Sequence, residues 1–139
     1  MNREVRTHKI LVVDDSEVML TRVRRALVAE GYEVVTTTQA VGNARYLPTC
    51  DLVVLDYHMP GLDGRAVLES LKRVARSTPN TCRFYLYTSD AALNARAAEL
   101  GFDGALTGKG DLEALVQQLR ALFRTWSIQK LRARPRAAG

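Results

Sequence analysis

Three aspartates in this 139-residue chain stand where apolar runs stop. Asp14 and Asp15 end the run at residues 8–13 (His-Lys-Ile-Leu-Val-Val), and Asp56 ends Leu52-Val-Val-Leu55. Short, β-branched apolar runs of this kind read as strands buried on both faces of a sheet. Met59-Pro60-Gly61 then turns the chain away, because Pro and Gly do not extend a strand ladder. Carboxylates at the C-terminal ends of buried parallel strands lie in the crevice where open α/β sheets hold their ligands. The first and third strands are neighbours in a doubly wound sheet, so all three acids share that crevice. Like charges so close need a counter-charge. Mg2+ suits them, since it takes oxygen ligands from one or two carboxylates and keeps room for water and phosphate oxygens. Two further polar residues end the remaining central strands: Thr88 after the fourth and Lys109 just past the fifth. A metal, a central carboxylate, a hydroxyl and an ammonium fit phosphoryl transfer to Asp56, since a carboxylate nucleophile forms an aspartyl phosphate. The metal and Lys109 would offset charge on the transferred group, and Thr88 would hydrogen-bond one of its oxygens.

The elements that must position these groups follow from periodicity. Asp15 or Ser16 caps a helix whose Leu20, Val23 and Leu27 recur at helical spacing, and Gly31 stops it. Residues 33–37 form a second strand, and 40–47 a weak helix with Pro48 beyond its end. Asp63 caps a helix with Val67, Leu71, Val74 and Ala75 on one stripe. Residues 82–88 are an aromatic-rich strand, 91–100 an alanine-rich helix and 103–106 a last short strand. The final helix carries Leu112, Leu115, Val116, Leu119, Leu122, Phe123 and Trp126 in unbroken three- and four-residue steps. An exposed Trp126 beyond the sheet would offer a contact surface for a partner or a second copy. Strand–helix repeated five times predicts a parallel sheet with helices on both faces and right-handed crossovers.

Composition excludes several classes. The net charge of +5 is a property of the tail: from Arg124 onward there are five bases and no acids, and the rest holds 15 of each. A nucleic-acid footprint over the whole domain is disfavoured. No apolar run approaches the roughly 20 residues of a membrane span. No hydrophobic leader precedes the first strand, so the expected setting is cytoplasmic. Cys50 and Cys82 have no ligand-like spacing and read as reduced, partly buried cysteines. His8 reads as ordinary surface.

Taken in order, Asp14-Asp15, Asp56-x-x-Met59-Pro60-Gly61-x-x-Gly64, Thr88 and Lys109 resemble the signature of the response-regulator receiver domains of bacterial two-component signalling. The likeness runs from about Lys9 to about Phe123. It implies a five-stranded parallel sheet in the flavodoxin-like order 2-1-3-4-5. It implies that Asp56 is phosphorylated by a histidine kinase or phosphotransfer protein. It implies that Asp15 and Asp56 bind Mg2+ directly with the backbone carbonyl of His58, Asp14 acting largely through water, and that Thr88 and Lys109 contact the phosphoryl group. The domain would cover 1–127, with 128–139 a basic, disordered tail. With so little chain after the last helix, the expected protein is a stand-alone regulator that is not an enzyme. It would bind a downstream protein through its last two helices and last strand, and a homodimer through the last two helices is a further expected assembly.

Two positions depart from the family pattern. Leu106 stands where the family usually has an aromatic residue, with Tyr85 or Tyr87 as candidates to stand in for it. Gly110 follows the lysine where a cis-proline is usual, and the cost of a cis non-proline bond predicts a trans 109–110 peptide. Both favour an alternative, a receiver-like docking module that works without phosphate. A small phosphohydrolase would want a carboxylate two residues after Asp56, where His58 stands. A flavin carrier would want a Ser/Thr/Gly-rich first loop. His58 and Asp90, each two residues past a site residue, are expected to flank the route of hydrolytic water and set the lifetime of an aspartyl phosphate.

Overall fold

In the computed structural model, the described residues are 7–39, 42–57 and 63–133. Five strands, β1 (Lys9–Val13), β2 (Glu33–Thr37), β3 (Leu52–Leu55), β4 (Arg83–Tyr87) and β5 (Gly104–Leu106), form one sheet in the order β2-β1-β3-β4-β5. Every pairing is parallel, as the alternation of strands with helical segments requires. The helices are α1 (Glu17–Ala29), α2 (Gly64–Arg76), α3 (Ala91–Ala95), α4 (Ala97–Leu100) and α5 (Leu112–Ala133).

The central strands are apolar throughout because both faces are covered. Ile10 and Val12 with Leu52 and Val54 face Leu20, Val23 and Leu27 of α1 and Leu115, Leu119 and Phe123 of α5. Leu11 and Val13 with Val53 and Leu55 face Val67, Leu68 and Leu71 of α2 and Ala97 of α4. This two-sided burial holds the C-terminal ends of β1, β3 and β4 in register: Val13 pairs with Leu55, and Leu55 with Leu86.

Five expectations are corrected. The weak helix is a 3-10 segment, Ala44–Thr49, that contains Pro48 rather than stopping before it; residues 40 and 41 lie outside the described set. A short tight turn tolerates the missing N–H that would break a longer α-helix. The alanine-rich helix divides at Arg96 into α3 and α4, and Ala97 is its buried anchor. α5 continues to Ala133, so residues 128–133 are helical rather than a disordered tail; 134–139 lie outside the described residues. Residues 127–133 contain neither Gly nor Pro, so local propensity carries the helix on after the apolar stripe has ended. Finally, Trp126 is half-buried, 5.2 Å from the Phe123 ring with the Arg83 guanidinium 4.2 Å over its own. Further along α5, Ile128 and Leu131 are exposed. His8 is not plain surface either: its ring stacks on Phe123 at 4.1 Å.

Candidate functional site

Asp14 and Asp56 follow adjacent strands, and the ladder runs one bond past each: Asp56 N–H donates to Val13 O at 3.0 Å, and Asp14 N–H to Thr37 O at 3.2 Å. Both side chains are buried, whereas Asp15 is exposed. One oxygen from each of Asp14, Asp15 and Asp56 lies within 4.8 Å of the others. Asp14 also accepts the Ser16 N–H at 2.9 Å, and Ser16 caps α1 by accepting from Met19 N–H at 3.1 Å. The first loop is thus tied to the helix it starts, which fixes where the two acids point. Three hard oxygen donors at this spacing fit a divalent cation with room for water and a phosphate oxygen. His58, whose carbonyl was expected to complete the set, lies outside the described residues.

Gly64 explains itself physically. A Cβ there would stand 2.8 Å from the backbone oxygen of Tyr57, the residue after Asp56. Only a residue without a side chain lets the first turn of α2 press against the end of β3. Asp63 caps that turn by accepting from Arg65 N–H at 3.1 Å.

Thr88 follows β4 and is buried. Its Oγ1 accepts the Asp90 N–H at 3.2 Å, which leaves its own hydroxyl proton to donate. Asp90 caps α3, accepting from Ala92 N–H at 2.9 Å and Leu93 N–H at 3.2 Å.

Lys109 points inward. Its Nζ lies 2.6 Å from Asp14 Oδ2 and 3.3 Å from Asp56 Oδ2, and its side chain is only 13% exposed. Burial alone would pull its pKa down. The hydrogen bond to Asp14 and the Asp56 charge more than offset that, so it titrates above the usual lysine range and is charged at neutral pH. The ammonium is the structure's own counter-charge for the acidic cluster.

The loop that delivers Lys109 is where periodicity was silent. Its peptide bonds are all trans, as expected. Gly110 sits at φ +100°, a conformation closed to proline, whose ring holds φ near −65°. In place of a rigid cis bond, the loop is held by side chains from three elements. Tyr87 on β4 accepts the Gly110 N–H on its hydroxyl at 3.2 Å, and its ring lies 5.7 Å from Lys109 Nζ. Arg22 on α1 donates to Gly110 O at 3.3 Å. Gln118 on α5 both accepts from and donates to the Thr107 backbone, at 2.9 Å each way. Of the two tyrosines considered, Tyr87 reaches this loop; Tyr85 instead packs over Gly104 and 5.9 Å from Trp126. Burial raises the Tyr87 pKa, so its hydroxyl stays protonated. Leu106 is core, packed with Tyr87 on the α1–α5 side. Gly110→Pro is expected to cost about 3 kcal/mol or more, since it forbids the observed φ and deletes the N–H that Tyr87 accepts; a lowered urea midpoint checks it.

The profile of the response regulator receiver domain matches residues 10–120. The transcriptional regulatory protein TcrA of Mycobacterium tuberculosis is 36% identical over 130 residues, covering 88% of this chain and 48% of TcrA. The response regulator MprA of a Mycobacterium species is 35% identical over 127 residues, covering 86% of this chain and 52% of that protein. The chain spans about half the length of the curated relatives it matches. A CheY-like receiver domain from Methanospirillum hungatei superposes with a TM-score of 0.71 at 18% identity, over 89% of this chain and 99% of that one. The response regulator TrrA of Thermotoga maritima, solved with Mg2+ and BeF, gives 0.68 at 23% identity over 84% and 99%. At these identities the solved structures speak for the fold.

Proposed function

Because this chain belongs to the response regulator receiver domain family, we propose that it receives a phosphoryl group on Asp56 and signals by the change in charge. The observation that carries this reading is Lys109, partly buried and bridging Asp14 and Asp56, with Asp15 beside them. The phosphodonor would be a phosphohistidine on a histidine kinase or phosphotransfer protein. An Asp56 oxygen attacks phosphorus, the P–N bond breaks, and the imidazole leaves with the electron pair. Asp14, Asp15 and Asp56, with the His58 carbonyl, would hold Mg2+, which supplies charge neutralisation when bound. Lys109 is placed to pass from its two carboxylates to a phosphoryl oxygen. Thr88 has a hydroxyl proton to donate to another.

Aspartyl phosphate adds roughly −1.5 to −2 charges. Its recruitment of Lys109 would loosen the contacts that Tyr87, Arg22 and Gln118 make with the same loop. The output surface proposed is α4, β5 and α5, which would bind a downstream protein, and exposed Ile128 and Leu131 on α5 suit a second copy. The cytoplasm is the proposed setting. Balanced charge over residues 1–123 supports no nucleic-acid contact by this domain itself. None of the helices in the described residues is long and apolar enough to cross a membrane.

The test is incubation with acetyl phosphate and Mg2+ followed by intact mass. The expected result is a gain of about 80 Da, one phosphoryl group, that is lost in mild base. An unchanged mass would favour the docking module instead, the reading that Leu106, buried in place of an aromatic, supports.

A further inference from the structure

At the opposite end of the sheet from Asp56, the chain brings its two cysteines together. Leu52 pairs with Arg83, so Asp51 stands across from Cys82, with Cys50 one residue earlier. The ladder bond Arg83 N–H to Asp51 O, 3.1 Å, fixes this register. A second clamp comes from Asn80, whose Nδ2 donates to Cys50 O at 2.6 Å and to Leu47 O at 3.0 Å. The turn before β4 is therefore pinned to the turn before β3 by backbone and side chain alike. Adjacent strands lie about 4.8 Å apart and a one-residue offset adds about 3.3 Å along the strand, so the diagonal Cα separation is roughly 5.8 Å, inside the roughly 4.4–6.8 Å that a disulfide spans. Both sulfurs belong to one cluster of packed side chains, Cys50 fully buried and Cys82 packed against it while partly open to solvent.

We infer that Cys50 and Cys82 are a dithiol that a peroxide converts reversibly to an intramolecular disulfide. The neighbouring Cys82 thiol, opposed by burial, draws the Cys50 pKa below its ordinary value, and Cys50 in turn raises that of Cys82. The first proton lost leaves one thiolate beside one thiol, which is the arrangement that oxidation needs. The thiolate attacks a peroxide oxygen, the O–O bond breaks, and hydroxide leaves a sulfenic acid. The second thiol gives its proton to that hydroxide, attacks the sulfenic sulfur, and displaces hydroxide, which takes up the first proton. Two thiols and one hydrogen peroxide become one disulfide and two waters. The bond would staple β3 and β4 at the ends opposite Asp56 and Thr88, closing the segment that contains α2.

The test uses the full chain, reduced, freed of reductant and treated with hydrogen peroxide under native conditions. The expected result is the loss of two hydrogens, about 2 Da, with a non-reducing peptide map joining Cys50 to Cys82 and full recovery in dithiothreitol. Cys50→Ser should instead leave Cys82 as a sulfenic acid that dimedone traps. Wild-type chain that gains oxygen atoms without the Cys50–Cys82 link, or that forms only disulfide-linked dimers, overturns the inference. So does wild type that traps dimedone as fully as Cys50→Ser.

Discussion

Asp56→Asn leaves the chain at its unmodified mass after acetyl phosphate and Mg2+, under conditions that convert the wild type. The substitution keeps the shape of the side chain and removes the anionic oxygen that attacks phosphorus. No neighbour takes its place: Asp14 is held by Lys109 and by the Ser16 N–H, and Asp15 is out in solvent. The variant also relieves repulsion within a cluster whose oxygens lie within 4.8 Å of each other, while Lys109 keeps its 2.6 Å partner. Its urea midpoint without metal is therefore expected at or above that of the wild type. Phosphoryl incorporation by Asp56→Asn would mean that another residue is the acceptor, and a lowered midpoint would mean that Asp56 holds the fold more than the site.

Lys109→Met is the second large effect, and it has two parts. Phosphoryl incorporation slows by about 100-fold or more, the usual loss when one positioned charge is removed from a transition state that accumulates negative charge. Metal-free stability falls by about 3 kcal/mol, since removing one partner of a buried ion pair strands the others. Added Mg2+ should recover part of the stability by replacing the lost counter-charge, but not the rate. Lys109→Arg separates the two, keeping the charge and most of the stability while its planar fork misplaces the donor. Intact-mass time courses and urea titrations with and without Mg2+ read all of these. A Lys109→Met protein that is both as stable and as fast as wild type would remove the ammonium from the mechanism.

What could be read from the chain alone was what parallel strands dictate. A buried strand is a short apolar run, its end is a polar residue, and neighbouring strands of a doubly wound sheet end at one edge. The placing of Asp14, Asp56 and Thr88 at strand ends needed nothing more. The loop around Gly110 was not legible, because its holders sit on three other elements. Gln118 reads as an ordinary polar position of an amphipathic helix and Arg22 as a surface charge, and nothing in the sequence separates Tyr87 from Tyr85 as the aromatic near this loop. Only the fold turns Tyr87 and Arg22 toward the amide and carbonyl of one glycine. The pairing of Cys50 with Cys82 was hidden for a related reason, since it depends on the register of β3 against β4. α5 was misjudged because its apolar stripe reports what it packs on, whereas its length is set by the absence of breakers through Ala133.

That length has a mechanical meaning. At 1.5 Å per residue, the 22 residues of α5 make a rod of about 33 Å. Gln118 fastens its near portion to Thr107, two residues from Lys109, while Ile128 and Leu131 ride at its unburied far end. If the rod pivots about Gln118 by about 5° as Lys109 shifts grip, Leu131, about 20 Å away, sweeps about 2 Å. An event at a single carboxylate would thereby be magnified into a displacement that a neighbouring molecule could feel.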